Sequence, residues 1–190
     1  MDYSVERFGD EQEPLVIIDD FAPDFATLKQ AAMGRAYAVT SPHYPGVRAQ
    51  ADPAYLGARM DVLQDVLTKV FDMGQGAALV ECAFSIVSTA REDLQPIQRL
   101  PHFDSTDPKR LALLHYFGDE ADGGTAFYRH KATGFETVSE ARIGDYSKSV
   151  QAEVGSIGLP AQTYHYGSND QFELMGEVAS KPNRMVLYRG

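Results

Sequence analysis

A chain of 190 residues is long enough to bury one substantial core and reads as a single domain. Its 27 acidic residues against 17 basic ones give a formal net charge of −10. That argues against a nucleic-acid or anionic-membrane surface, because either needs clustered Lys and Arg. The single cysteine, Cys82, excludes an intrachain disulfide, and no apolar run approaches the roughly 18 residues of a spanning helix, so a cytoplasmic setting is the expectation.

Residues 1–13 are polar and acidic, lack the basic and apolar regions of a signal peptide, and read as a loose terminus. Residues 14–76 read as a helical support region. Within it, Leu15 to Ile18 is a short apolar strand closed by Asp19-Asp20. Pro23-Asp24 opens a short helix with Phe25, Leu28 and Ala32 on one face and Gly34 as its stop. A loop rich in Pro and Tyr follows over 41–46. Asp52-Pro53 then reads as an N-cap with proline at the first helical position. Leu56, Met60, Leu63, Leu67 and Val70 recur at helical spacing, which predicts an amphipathic helix over 53–72 that packs against a sheet.

From Ala77 the period changes to two, and 77–190 read as the sheet-forming core. Strands are expected over 83–88, over 97–100, and over Leu111 to Phe117 and Thr125 to His130. The last two are expected to pair across an acidic turn containing Gly123-Gly124. Cys82 lies in the apolar run 77–87 and reads as a small buried hydrophobe. Thr137-x-x-Glu140 is a capping box ahead of a helix whose face carries Ile143, Tyr146, Val150 and Val154, up to Gly155. Residues 158–170 read as an irregular loop, 171–178 as either a strand or a helical turn, and Arg184 to Tyr188 as a final strand.

The chemistry concentrates in Leu100-Pro101-His102-Phe103-Asp104. On an extended segment, residues two apart point to the same side, so the His102 imidazole and the Asp104 carboxylate can reach one ion. A borderline metal such as Fe(II) accepts that donor mix, and a site of two histidines and one carboxylate leaves positions open for small molecules. The competing structural reading has Asp104 cap the turn Ser105-Thr106-Asp107-Pro108, with His102 hydrogen-bonded nearby.

Together with Leu113 to Asp119, Gly123 to Phe127 and Asn183 to Tyr188, this segment resembles the iron- and 2-oxoglutarate-dependent oxygenases, in particular the prolyl 4-hydroxylase-like branch. That likeness covers roughly residues 80–190. The chain as a whole also looks like an uncharacterised bacterial family within that superfamily. The resemblance implies an α+β protein built on a double-stranded β-helix, a jelly-roll barrel with helices on the outer face of its larger sheet. It implies His102 and Asp104 as iron ligands and 2-oxoglutarate as cosubstrate. Tyr116 falls where related hydroxylases hydrogen-bond the cosubstrate carboxylate.

Other candidates stay open at this point. If Ala126 points inward, so does Tyr128; a shifted register instead makes Arg129 the carboxylate partner. Gln98 and Arg99 are candidates for the pocket mouth, with surface pairing as the simpler reading. The second iron histidine and the basic clamp for the cosubstrate are expected beyond Gly190, in a longer protein of which this chain is a part. His165, 61 residues beyond Asp104, is a weaker candidate for that ligand. His115 and His130 read as packed histidines.

Three functions follow. The first is an oxygenase that hydroxylates a small-molecule or peptide substrate. The second is a non-catalytic jelly-roll binding module, and the third is a cupin-type metal protein without 2-oxoglutarate. Halogenation is disfavoured, because superfamily members that bind chloride replace the carboxylate with a small residue and Asp104 is present. Substrate and oligomeric state carry no sequence signal.

Overall fold

A computed structural model describes residues 2–190. The chain forms strands β1 (Ser4–Phe8) and β2 (Glu13–Ile18), helix α1 (Phe25–Met33), strand β3 (Gly46–Gln50), helix α2 (Met60–Lys69), strands β4 (Ala83–Val87), β5 (Leu111–His115) and β6 (Gly124–His130), helix α3 (Ile143–Ile157), and strands β7 (Phe172–Ala179) and β8 (Met185–Arg189). All pairings are antiparallel. One sheet runs β1-β2-β8-β5, while β3-β4 and β6-β7 are separate pairs, and the strands do not close into a barrel.

The two-residue period of β2 and β8 divides the structure into layers. Val16, Ile18, Met185 and Leu187 face one way. They pack with Phe21, with Leu56 before α2 and with Val62, Leu63 and Val66 on α2, while Phe25 and Leu28 of α1 lie against the same cluster. The helices therefore cover the outer face of the larger sheet. Leu15, Ile17, Val186 and Tyr188 face the other way and meet Phe8, Tyr116, Phe127 and Val178, so the β6-β7 pair stacks on the inner face. Burying each such aliphatic side chain contributes about 1.5–3 kcal/mol.

A β-bulge sets the β6-β7 layer. Phe127 pairs with Gly176 but Tyr128 pairs with Leu174, so Met175 is an extra residue on β7. Phe172 and Val178 share parity, yet the bulge sends Val178 inward and leaves Phe172 outward against His130. On β6, Thr125 and Phe127 face inward, and Tyr128 and His130 face outward.

Several expectations are corrected. Ser4–Phe8 is an ordered edge strand, not a loose terminus, because Phe8 packs on Phe127 and the Gly9-to-Gln12 turn closes a hairpin onto β2. Residues 53–59 form a 3₁₀ turn, capped by Asp52 as expected, before α2 begins. Residues 96–99 are also a 3₁₀ turn and not a strand: Pro96 opens it, and the Gln98 side chain accepts the Gln95 backbone N–H. β5 and β6 do not pair with each other; they belong to opposite layers. Thr137 caps no helix, since its hydroxyl bonds Glu11, and α3 runs on to Gly158, where φ is +90°. The ambiguous segment near 171–178 is strand β7.

Candidate metal centre

Leaving the 3₁₀ turn, Leu100 is extended (φ −114°, ψ 149°), and the alternation that follows splits the next residues between two sides. The Phe103 ring packs edge-on against Tyr146 of α3 at 5.9 Å, and Tyr146 in turn meets His130 on the outer face of β6 at 5.1 Å. That anchor holds the segment while His102 and Asp104 project elsewhere together. His102 Nε2 lies 3.8 Å from Asp104 Oδ1, with the two side chains 78% and 48% exposed. The pair neither diverges nor sits in a plugged interior.

Asp104 abuts the end of β8. The inward row on that strand reads Val186, Tyr188 and then Gly190, and a Cβ built on Gly190 would lie 2.7 Å from Asp104 Oδ2. Burial raises the Tyr188 phenol pKa, and the nearby charges of Asp104 and Tyr116 add to the shift, so Tyr188 stays neutral and protonated at physiological pH. Deeper in the layer, Tyr116 Oη and Thr125 Oγ1 are 2.5 Å apart. Burial also raises the Tyr116 pKa, against the hydrogen bond from Thr125. Two hydroxyls sharing one hydrogen bond leave one proton free to donate to an anionic group.

These residues fit a divalent metal in two of its positions. Two donors each about 2.1 Å from one ion stand about 3.0 Å apart at a right angle and about 3.4 Å apart in a tetrahedron. The observed 3.8 Å closes to that range by a small rotation of two exposed side chains. Among the described residues, no third His, Cys, Asp or Glu joins them.

The remaining candidates sit elsewhere. Tyr128 projects from the outer face of β6, edge-on to His165 at 4.6 Å. Its hydroxyl is buried with no hydrogen-bond partner, and burial raises its pKa against a weaker influence from the Gly167 backbone. The condition set by Ala126 therefore turns Tyr128 outward, into the layer under α3. Arg129 does share the inward parity of Phe127, but its guanidinium is committed to Glu136, to Glu173 at 2.8 Å and to Asp10 at 2.8 Å. Glu136 loses its burial penalty to the backbone N–H groups of Asp10 and Glu11 and to Arg129, so its pKa falls below the usual carboxylate range.

Gln98 donates to Pro42 O, and Arg99 donates to Leu94 O and Pro160 O, so both tie loops together. His165 packs among Tyr128 and Phe172 in the outer layer, and burial lowers its pKa. The structure does not bring it to the pair. His130 is buried and bonded to Thr133 and Glu153, and His115 is bonded to Asn183, as packed histidines. Two clefts lie away from the pair. One, of about 410 Å³, is lined by Arg48, Cys82 and Pro53; the other, of about 320 Å³, by Arg99, Tyr164 and His165.

The residues that sequence reading passed over are Thr125, Tyr188 and Gly190. The signal for the last two was the period of β8 itself, which carries Val186, Tyr188 and residue 190 on one face. A sequence family described as a family of unknown function (DUF6445) matches residues 1–190. No curated protein and no solved structure matches the chain.

Proposed function

The chain belongs to the DUF6445 family, and we propose that it is an Fe(II)- and 2-oxoglutarate-dependent oxygenase acting on a small-molecule or peptide substrate, with His102 and Asp104 as two of the metal's ligands. The observation that carries the reading is the convergence of His102 and Asp104, 3.8 Å apart, on the end of β8. Two antiparallel layers facing each other across Leu15, Val178 and Val186 support a jelly-roll reading, with the pair at its rim.

In this reading His102 and Asp104 hold the ion, which when bound supplies O2 activation with 2-oxoglutarate as the co-reductant. The protein's own contribution is orientation and exclusion of water. Tyr188, kept protonated by burial, places a neutral hydroxyl near Asp104 without adding charge. The Tyr116–Thr125 pair offers its free proton to a carboxylate inside an otherwise apolar wall of Val186 and Phe127. In the resembling enzymes a second histidine follows a strand like β8. Here β8 leads to Gly190, which lies against the Asp104 carboxylate.

The test is anaerobic titration of the protein with Fe(II) or Co(II) and with 2-oxoglutarate. Both should bind, and Asp104→Ala should weaken metal binding at least about tenfold while leaving the fold intact, since the side chain is half exposed. Metal binding without 2-oxoglutarate would favour the cupin-type reading. Indifference to Asp104→Ala would favour a binding module that uses the inner layer without a metal.

A further inference from the structure

Glycines at tight places in this fold divide by what they face. At Gly46 and Gly124 an added Cβ would strike the backbone carbonyl of a partner strand, at Ile86 and Val178 respectively, so glycine there lets two strands come together. Gly190 belongs with Gly9, Gly118 and Gly176, whose Cβ positions meet the side chains of Glu136, Asp122 and Phe8. Among these it is the one that faces Asp104: its Cβ position lies 2.7 Å from Asp104 Oδ2, 3.0 Å from Asp104 Cβ and 3.3 Å from Asp104 Cγ. Gly190 shows no positive φ that would by itself require glycine.

We propose that Gly190 is a positioning residue for the metal pair: the missing side chain is the slot in which the Asp104 carboxylate lies, and that slot fixes the carboxylate beside His102. The inference rests on the metal reading of the pair. Three features of the structure make the slot specific. The inward row of β8 carries Val186 and Tyr188 and then the bare Gly190, so the chain presents backbone where the carboxylate arrives. The contact extends to the Cβ of Asp104, so rotating the carboxylate about its own bonds does not clear it. The backbone at this point is fixed, because Gly190 N–H donates to Arg110 O at 3.3 Å in continuation of the β5–β8 ladder. An added Cβ at 190 therefore presses on Asp104 Cβ as well as on its carboxylate, so that Asp104 or the strand end gives by a few tenths of an ångström and the separation of 3.8 Å from His102 changes.

Two graded variants of the protein, Gly190→Ala and Gly190→Val, test this with three readouts: Co(II) affinity, the visible absorption spectrum of the Co(II) form, and a crystal structure of the metal-free protein. The expected result is Co(II) binding weakened at least about tenfold by alanine and further by valine, as for other groups that orient metal ligands. The Co(II) spectrum should change, the thermal midpoint should be kept, and the gap between His102 and Asp104 should widen. A purely structural role would lower the midpoint without altering the spectrum of the protein that still binds. Unchanged affinity and spectrum in both variants, with Asp104 still seated beside His102, overturns the proposal. If the parent protein binds no Co(II), the metal reading fails and with it the role of Gly190 toward a metal. The crystal structures then still decide the slot itself, since an unmoved Asp104 removes it and a displaced one leaves Gly190 as a seat for the Asp104 side chain alone.

Discussion

The two faces of β8 carry different kinds of packing. Met185 and Leu187 point into a dry aliphatic and aromatic cluster shared with α2 and Phe21, where every side chain is in contact with another and little is exposed. Val186, Tyr188 and Gly190 point into a layer that contains two paired hydroxyls, a raised-pKa phenol and, at its rim, an exposed imidazole and carboxylate. One strand thus uses its even and odd residues for separate purposes. The outer face is mainly aliphatic and aromatic, and the inner face combines an equally buried apolar set, Leu15, Val178 and Val186, with the hydroxyls of Tyr116 and Thr125.

The sharpest way to break this contrast is to damage the outer face and read the inner one. Phe21 is fully buried and packs edge-on to Tyr55 and His115. Phe21→Ala should cost about 3–5 kcal/mol of stability, measured by urea unfolding. Metal affinity of the protein that remains folded should be unchanged. A parallel loss of affinity would mean that the two faces are energetically one unit.

That contrast also explains what the sequence made legible. The outer face was readable because Leu56, Leu63 and Val66 repeat at helical spacing and Leu15 to Ile18 is apolar throughout; both patterns follow from burial alone. His102 and Asp104 were readable because two residues on an extended segment share a side. Which way β6 presents Tyr128 and Arg129 was not readable. It depends on the layer that covers each face, and sequence does not say that α3 lies over one and Asp10 reaches the other. The pairing of β5 with β8, across some 70 residues, likewise follows from long-range packing and not from the Gly123-Gly124 turn between β5 and β6. Ser4–Phe8 escaped notice because an edge strand needs only one anchoring residue, here Phe8, and its polar remainder reads as coil.

A gentler probe of the outer face is acid. His115 sits among Phe21, Phe25, Tyr55 and Phe117, with Nε2 bonded to Asn183 Oδ1 at 3.0 Å and Nδ1 buried without a partner. Burial lowers its pKa, against the opposing bond to Asn183. A histidine depressed on folding contributes stability that is present above its unfolded value near 6.5 and is lost as pH falls through the folded one. Unfolding free energy should therefore decline below that pH, with His165 adding in the same sense. His115→Gln should flatten part of the slope, an effect smaller than the Phe21 cavity. An unaltered slope would assign the acid sensitivity to the inner layer instead.

The smallest expected effect compares the two ends of β8, each of which meets an aspartate. At the start of the strand, Asp19 is gripped by Arg184 at 2.7 Å and Lys181 at 2.8 Å. The Arg184 hydrogen bond is the main cause of a pKa lowered to about 2, with burial opposing and Lys181 assisting. At the far end, Asp104 has the His102 ring as its only ion-pair partner among the described residues, at 3.8 Å. Because the folded pKa of Asp19 lies below its unfolded value of 3.8, its contribution is complete above that pH and is lost as pH falls through about 2. Asp19 is 37% exposed, so solvent screening limits that contribution to under about 1 kcal/mol. Asp19→Asn should therefore destabilise slightly at pH 5, less so toward pH 2, and less again in high salt, while Asp104→Asn, at a half-exposed side chain whose one ion-pair partner is 3.8 Å away, should cost less than Asp19→Asn at pH 5. The difference separates a carboxylate already satisfied by the protein from one with coordination to spare. Equal losses in the two variants would place Asp104 among the structural residues and remove the asymmetry on which the proposed metal reading of the pair rests.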